Sequence, residues 1–352
     1  MGSGGNAVPK RPTLLDVADR AGVSRATASL VVRKSPLVSA STRERVEAAM
    51  AELGYVYNAG AARMRAAQSR TVGVVVPNLT NPFFAVLLAG MESVFETEGL
   101  AVIFANSNES LDKQSGFLRR MREHAADGVI VCPCEGTDLR LVEDAAAWSL
   151  PLVQALRYVP GTGSDYAGID YRAGMREATE RLIGLGHRRI LFVSGNRRHS
   201  AQADRLAGFQ EAMSARRLDA DAVIHLPLTH GAAREAAAAI AAGPDRPSAV
   251  ICFNDVVALG LHRGFLDLGL TLGRDISLAG FDNVAEAALV LPGLTSVATK
   301  PFSVGENAAR LLLRRIGEPA APVSRLIEPT EFVARESVGP AGPALDRSSD
   351  LL

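Results

Sequence analysis

The sequence predicts a small all-α head followed by an α/β body of two doubly wound, parallel-sheet subdomains. Residues 13–57 contain three short helical segments separated by a glycine and by capping residues. From Thr71 onward, apolar runs typical of buried parallel strands alternate with helical stretches in two successive series. Charge divides the chain in the same way. Residues 1–70 hold eleven Lys or Arg against five Asp or Glu, although the whole chain has 38 of each kind. The basic head is the part expected to meet a polyanion.

Composition and length narrow the class of protein. A chain of 352 residues favours two or three domains, and 47% hydrophobic with 22% charged residues is ordinary for a soluble globular protein. There is no apolar run of about 18 residues and no apolar signal segment at the N-terminus, so we expect a cytoplasmic protein without a membrane segment. Cys132, Cys134 and Cys252 are expected to be buried free thiols. We expect no metal site and no cofactor.

Capping residues and stops predict the three helices of the head, over residues 12–57. The tight turn between the first two is typical of a helix-turn-helix, which places its second helix in the major groove of DNA. The predicted helices are Leu14–Arg20 after the pair Thr13 and Asp16, Arg25–Arg33 after Gly22 and Ser24, and a third that runs from a Ser41–Glu44 capping box to Leu53 before Gly54.

One face of the second predicted helix carries side chains suited to DNA. Arg25, Ala26, Ser29, Leu30 and Arg33 fall within a sector of about 140° at 100° per residue. Arginine binds guanine edges, and Ala or Leu contacts thymine methyl groups. Hydroxyls such as those of Ser24, Thr27 and Ser29 suit phosphate oxygens. The alternative is the solvated face of an ordinary three-helix bundle.

The head resembles the DNA-binding domain of the LacI/GalR repressor family through T-x-x-D-V-A-x-x-A-G-V-S, S-x-x-T-R-E-R-V and L-G-Y. The resemblance implies double-stranded operator DNA as a partner, with Arg25 and Ala26 carrying much of the base choice. Leu30 stands where members of the family commonly have a polar or basic residue, and Arg33 stands where Asn is usual. The operator preference is therefore expected to differ from that of relatives.

Residues 58–69 are expected to form a hinge, since in the resembling family this segment folds as helices on DNA and an apolar side chain wedges into the minor groove. Met64 corresponds to that wedge, Gly60 weakens the helix, and Tyr57 replaces a usual Pro. A plain linker is the alternative. The residues expected to contact DNA are Thr13, Ser24, Arg25, Ala26, Thr27, Ser29, Leu30, Arg33, Asn58, Ala61 and Met64.

The body shows strands and helices in alternation. Predicted strands start at Val72, Ala101, Gly128, Arg189, Ala249 and Ile276, with helices after most of them. The fragments VVPNLTNPFF, ADGVIV, LGHRRI, DRLAGF, FNDVVALG and LAGFDN resemble the family body, which implies a periplasmic-binding-protein-like fold. Its subdomains are expected at about 70–169 with 299–328 and at about 170–298 with 329–338. Residues 1–11 and 339–352 are expected to be disordered.

Ligands of such sheets bind beyond the carboxyl ends of the strands, and polar residues collect there. By the resemblance, Arg205, Asn254 and Asp282 line an effector cleft. Arg and Asp suit vicinal hydroxyls and a Phe can stack on a sugar face, which indicates a carbohydrate. His199 stands where the purine-responsive repressor has Arg, which argues against a purine. Asp255 is expected to cap the next helix. The predicted effector residues are Phe83, Phe84, Asp170, His199, Arg205, His230, Asn254 and Asp282.

The leading hypothesis is a ligand-responsive repressor that binds a pseudo-palindromic operator as a homodimer. A cytoplasmic solute-binding module and an activator or corepressor-dependent regulator are the alternatives. An enzyme is not expected, because the sequence contains no nucleophile elbow, phosphate loop or set of metal ligands at a suitable spacing.

Overall fold

The computed structural model describes residues 12–55, 69–243 and 246–342. The chain divides into two compact units, a head up to Gln68 and a body from Ser69. The predicted hinge contacts Asn58, Ala61 and Met64 lie outside the described residues, as do residues 1–11 and 343–352. Within the described part of the chain, no helix is long and apolar enough to cross a membrane.

The head consists of α1 (Leu14–Ala21), α2 (Arg25–Val32) and α3 (Ala40–Leu53). Thr13 and Asp16 form the predicted capping box at the start of α1. Gly22 ends that helix in the left-handed region at φ 63°, which a glycine adopts without a steric penalty. The three helices enclose a small core of Val17, Ala18, Ala21, Ala28, Val31, Val46 and Ala49.

The predicted start of α3 is wrong by two residues. The cap is Ser39, whose side chain accepts a hydrogen bond from the Thr42 backbone N–H. Ser41 lies inside the first turn, so the Ser41–Glu44 capping box is not formed. Serine is common at several positions around a helix start, and only the backbone conformation decides which serine is the cap.

Within the described residues, the strands of the body form two six-stranded sheets. The first has the strand order β11-β5-β4-β3-β1-β2, and all its pairings are parallel. Its strands are β1 (Thr71–Val76), β2 (Ala101–Asn106), β3 (Gly128–Val131), β4 (Leu152–Ala155), β5 (Asp165–Ile169) and β11 (Arg325–Glu328). Its helices are α4 (Pro82–Thr97), α5 (Leu111–Glu123), α6 (Arg140–Ala147) and α11 (Pro301–Gly317).

The second sheet has the order β12-β10-β9-β8-β6-β7, with only the β10–β12 pair antiparallel. Its strands are β6 (Ile190–Gly195), β7 (Val223–Leu226), β8 (Ala249–Cys252), β9 (Ser277–Asp282), β10 (Thr295–Ala298) and β12 (Glu331–Val333). Its helices are α7 (Tyr171–Gly184), α8 (Ser200–Ala215), α9 (His230–Ala241) and α10 (Asp255–Asp267), with a 3₁₀ turn at Ala285–Ala288. We call the parts built on the two sheets the N-terminal and C-terminal subdomains.

The C-terminal segment predicted to be disordered, residues 339–352, was predicted to begin too early. Gly339 accepts a hydrogen bond at 3.0 Å from the His187 ring, and its backbone N–H donates to the Ser277 hydroxyl at 3.1 Å. Ala341 N–H donates to the Leu185 carbonyl. These contacts hold residues 339–341 on the C-terminal subdomain, which sequence composition around two prolines did not reveal.

Helices α4 and α11 of the N-terminal subdomain cross at two glycines, where their backbones pack closely together. A Cβ added to Gly90 in α4 would overlap the Phe302 carbonyl oxygen, and one added to Gly305 in α11 would overlap the Leu87 carbonyl oxygen. The two backbones therefore touch at this crossing, and α11 brings the C-terminal part of the chain back onto the first sheet.

Gly90→Ala is expected to destabilise the body by about 1–3 kcal/mol, because the added methyl group meets backbone rather than a movable side chain. Gly116→Ala in α5 is the matched control, since its Cβ would meet only the end of the Arg120 side chain at 3.4 Å. That change should be neutral or stabilising by up to about 1 kcal/mol. Urea denaturation measures both, and equal stabilities of the two variants would contradict the assigned crossing.

Candidate functional site

The outward face of α2 carries the predicted base-contacting side chains. Arg25, Ala26 and Arg33 are exposed, and Leu30 is 36% exposed, although leucine is usually buried. Ala28 and Val31, on the opposite face, lie in the core of the head. The face is thus accessible.

The hydroxyls predicted to bind phosphate are partly engaged within the head. Ser24 caps α2, and its Oγ lies 2.9 Å from Thr27 Oγ1. Thr13 Oγ1 is 2.7 Å from the Asp16 carboxylate in the α1 capping box. Ser29 is half-buried. Their contact with DNA stays a prediction.

A cavity of about 390 Å³ lies in the body where the two subdomains face each other, at the carboxyl ends of their strands. Both walls are contributed by segments that follow parallel strands, as expected for doubly wound sheets. The predicted residues Phe83, Phe84, His199, Arg205, Asn254 and Asp282 all line it.

The N-terminal wall is formed by the start of α4. Asn81 is its N-cap, with Oδ1 accepting from Phe83 N–H at 3.0 Å. Phe83 and Phe84 pack edge to face with ring centroids 5.5 Å apart. Since both rings are nearly buried and border the cavity, they supply its apolar surface on this side.

The C-terminal wall is centred on Arg205 of α8, which is 3% exposed. Its guanidinium carbon lies 3.9 Å from the ring centre of Tyr171, 4.3 Å from that of Phe253 and 4.4 Å from that of Phe281. We call this enclosure the aromatic box. Rings offer a cation their electron-rich faces, which offsets part of the cost of burying the charge. Burial lowers the pKa of Arg205 from its usual value.

The Asp282 carboxyl group lies beside Arg205, with Oδ1 3.6 Å from Nη2. Burial raises the pKa of the Asp282 carboxyl to about 8, although the nearby Arg205 and a hydrogen bond from Asn81 lower it. Asp282 has φ 105° and Asn283 has φ 53°, conformations that non-glycine residues rarely adopt. Backbone strain of this kind is concentrated at binding sites.

His199 and Asn254 both cap helices and border the cavity. The His199 Nδ1 accepts from Gln202 N–H at 3.2 Å, and burial lowers the pKa of the ring to about 2. The neutral ring therefore carries its proton on Nε2. Asn254, and not Asp255, caps α10, because Asn254 Oδ1 accepts from Val257 N–H at 3.1 Å. The expectation that Asp255 caps this helix is wrong.

Two predicted effector residues are not brought to the cavity. Asp170 is exposed and caps α7, with Oδ1 accepting from Ala173 N–H at 3.0 Å. His230 is exposed as the first residue of α9, and the cavity is bordered instead by the cap Thr229. At a strand-to-helix junction, a shift of one residue changes the direction of the side chain by about 100°.

Several cavity residues were missed by the sequence analysis. Arg157 and Glu109 form a nearly buried ion pair of 2.9 Å on the N-terminal wall. Glu109 lies on a loop and Arg157 follows β4, which was not predicted as a strand. A charged residue directly after an apolar run, as in Leu152–Ala155, was the available signal. The other missed lining residues include Asn106, Asn108, Tyr171, Asn196, Arg197, Thr229 and Phe253.

Asp255 is a second buried carboxylate beside the cavity. It accepts hydrogen bonds from the Ser296 hydroxyl at 2.7 Å and from Val284 N–H at 2.8 Å. These hydrogen bonds join the start of α10 to the turn that follows β9, and Asp282 is the last residue of β9. Burial raises the pKa of Asp255 to about 7.

Comparisons with known proteins match both units. Residues 13–58 match bacterial regulatory proteins of the lacI family, and residues 179–338 match the periplasmic binding protein-like domain. The HTH-type transcriptional repressor PurR of Vibrio vulnificus is 34% identical over 330 residues, which are 93% of this chain and 98% of that protein. The chain belongs to the LacI/GalR family. This confirms the predicted fold and identifies a DNA-binding transcriptional regulator, not an enzyme.

Solved structures of this family agree. A complex of the transcriptional regulator CelR with cellobiose is 31% identical, with a TM-score of 0.69, and covers 93% of this chain and 100% of its own. The lac repressor dimer bound to operator and the anti-inducer ONPF is 26% identical, with a TM-score of 0.84, and covers 94% and 100%.

The contribution of Asp255 to the stability of the body is expected to fall as pH rises from about 4 to about 7, whereas that of His199, whose pKa is lowered, changes in the opposite direction. In this range the unfolded chain has lost the Asp255 proton while the folded body, with its raised pKa, retains it, so each deprotonation favours unfolding. Asp282 acts in the same direction up to about pH 8. Asp255→Asn removes the Asp255 contribution, so the slope of stability against pH between pH 5 and 7 should become more positive by up to about 1.4 kcal/mol per pH unit. Urea denaturation at several pH values tests it, with the exposed Asp219→Asn as control; equal slopes in all three proteins would contradict the assignment.

Proposed function

We propose that this regulator is a cytoplasmic repressor whose homodimer binds a pseudo-palindromic operator, and that a neutral carbohydrate in the cavity changes its affinity for DNA. The observation that carries the proposal is the buried Arg205. Its Nε–H finds no acceptor among the described residues. A buried donor without an acceptor costs about 1–3 kcal/mol. A ligand oxygen seated between Arg205 and Asp282 would supply that acceptor.

The asparagines around the cavity favour a ligand rich in oxygen. Asn78, Asn106 and Asn254 each use Oδ1 to accept a backbone N–H two or three residues along the chain. The carbonyl oxygen is thus occupied and the NH₂ group is left to donate. Hydroxyl and ether oxygens accept such donors, whereas an apolar ligand leaves them without partners.

The charges near the cavity favour a neutral ligand. Arg157 is paired with Glu109 and Arg197 with Glu135, while Arg205 lies beside Asp282. His199 is neutral. Two of these arginines are matched by carboxylates, and the third, Arg205, has three aromatic rings over its charge, so we expect little net attraction for an anion or a cation. The Phe83 and Phe84 rings suit the apolar face of a sugar. The cellobiose complex of CelR supports the same class.

Several exposed apolar side chains in the body support a homodimer. Phe104 is 42% exposed on the edge strand β2, and Leu289 and Leu291 follow the 3₁₀ turn and are largely exposed. Where such side chains form a contiguous patch, they commonly mark an interface between proteins. The lac repressor structure with a similar fold is a dimer on its operator. Two heads are needed to bind the two half-sites of a palindrome.

Control by ligand requires different affinities for at least two conformations of the body. A ligand between the subdomains contacts Arg205 and Asp282 on one side and the start of α4 on the other. It therefore binds most tightly when the walls are close together. The consequent shift in subdomain arrangement would alter the positions of the two heads on DNA.

Thermal-shift screening of the full chain should find a ligand among neutral mono- and disaccharides, cellobiose included, and not among purines or sugar phosphates. A ligand at 100 times its Kd stabilises the protein by about 2.7 kcal/mol. Arg205→Lys should abolish the shift, because Lys retains the charge but not the planar set of donors. Arg234→Lys, at an exposed ion pair with Asp267, is the control and should respond normally. Stabilisation by a purine alone would overturn the carbohydrate proposal.

Arg25 is expected to contact a base. Selection from randomised DNA duplexes with the full chain should return a pseudo-palindrome. Arg25→Ala should weaken binding to it by about 1–3 kcal/mol and relax the preference at one position in each half-site. Arg119→Ala removes the same charge from an exposed site on α5 and should leave binding unchanged. Fluorescence anisotropy measures the affinities, and a preference unaltered in Arg25→Ala would refute the role of α2.

A further inference from the structure

Two contacts between the subdomains end at one carboxylate, that of Glu135. It lies in the N-terminal subdomain, on the loop after β3. Its Oε2 is 3.2 Å from Arg197 Nη1, and its Oε1 accepts the Arg198 backbone N–H at 2.9 Å. Both arginines lie on the loop after β6, in the C-terminal subdomain. We call this set of three residues the Glu135 clasp.

The clasp is connected to the cavity on both sides. Arg197 itself borders the cavity. On the other side, the Glu135 backbone N–H donates to Glu109 Oε2 at 3.3 Å. Arg157 Nη1 holds Glu109 at 2.9 Å and also donates to the Pro133 carbonyl at 3.2 Å. The Glu109–Arg157 pair, which borders the cavity, therefore fixes the backbone on which Glu135 stands.

Local geometry favours an ionised, oriented Glu135. The backbone N–H of Arg198 is the main cause that lowers the pKa of Glu135, and the Arg197 guanidinium adds to it. The Glu135 side chain is 31% exposed and that of Arg197 is 50% exposed. An ion pair as exposed as this contributes little to stability. It is, however, sufficient to bias two arrangements of the same body that differ by a similarly small free energy.

We propose that Glu135 is a positioning residue for the effector response: its carboxylate holds the loop after β6 against the N-terminal subdomain, and the Glu109–Arg157 pair sets its place. Effector atoms that contact Glu109, Arg157 or Arg197 thereby change the strength of the clasp. The consequence for DNA rests on the proposed function, whereas the conformational role does not.

A second contact joins the subdomains next to the clasp. Tyr158 N–H, after β4, donates to Ser200 Oγ at 2.8 Å, and the Tyr158 hydroxyl is 3.4 Å from Asp204. Loss of the clasp is therefore expected to loosen the closed arrangement without separating the subdomains.

The test measures the distance between the subdomains without effector or DNA. Spin labels are placed on Glu143→Cys in α6 and Ser214→Cys in α8, both exposed, in a chain whose three native cysteines are buried. Labelled chains are diluted with unlabelled chains, so that distances within one chain dominate. Electron–electron double resonance then reports the populations of shorter and longer distances.

Glu135→Ala should shift the ratio of closed to open populations by about two- to fivefold, as expected for the loss of an exposed charged contact. Glu135→Gln should shift it less, since its amide oxygen still accepts the Arg198 N–H. Asp138→Ala is the matched control: Asp138 also pairs with an arginine, Arg140, but within its own subdomain. Its distances should equal those of the parent. An unchanged Glu135→Ala, or an equal shift in Asp138→Ala, would overturn the proposal.

Glu109→Gln tests the link to the cavity. If the Glu109–Arg157 pair acts through Glu135, Glu109→Gln should shift the populations in the same direction, and the double variant with Glu135→Ala should shift them no further than Glu135→Ala alone. Additive shifts would overturn the link. Operator affinity of Glu135→Ala separates the conformational role of Glu135 from its consequence for DNA. A distance shift without a change in operator affinity would support the conformational role and refute the consequence for DNA.

Discussion

The enclosure of Arg205 determines much of the C-terminal subdomain. A guanidinium that is 3% exposed requires compensation, because removing one partner from a buried ion pair costs about 3–5 kcal/mol. The compensating groups come from three places in the chain: Tyr171 from α7, Phe253 from just after β8, and both Phe281 and Asp282 from β9. The parallel order of strands in the second sheet is what brings these ends together. The aromatic box is thus a consequence of topology as well as of residue type.

The hydrogen-bonding capacity of Arg205 is not fully used within this enclosure. Arg205 and Asp282 are 3.6 Å apart, beyond hydrogen-bonding distance, and Asp282 stands at φ 105°. A site arranged only for stability would bring the two groups into direct hydrogen bonds and relieve the backbone. Unused donors and strain at one point are the expected cost of a surface shaped for a ligand, since function and stability compete for the same residues.

The sequence was sufficient to predict the three-helix head, the alternating body and six of the eight proposed effector residues at the cavity. These follow from local signals: Thr13 and Gly22 at helix ends, apolar runs such as Val72–Val76, and motifs around Arg205 and Asp282. Asp170 and His230 were misplaced because the direction of a side chain at a helix start depends on one residue of register.

The ion pair of Arg157 and Glu109 was not predictable in the same way, because its partners are 48 residues apart and meet only through the strand order of the first sheet. The same holds for the cap of α3, where Ser39 and Ser41 are chemically equivalent and differ only in backbone conformation. Local patterns predict elements and their ends, whereas pairings between loops depend on how the sheets are ordered.

The two ion pairs on opposite walls have different consequences for control. Arg205 and Asp282 stand on regular elements, α8 and β9, so the ligand that we propose for this wall would gain affinity there without moving its support. Arg157–Glu109 holds loops, and one of them extends to Glu135 and across the cleft. Allosteric coupling free energies are typically about 1–3 kcal/mol. An exposed charged contact such as that of Glu135 contributes up to about 1 kcal/mol, so on the proposed function a few contacts between loops suffice to couple a ligand to the arrangement of the subdomains.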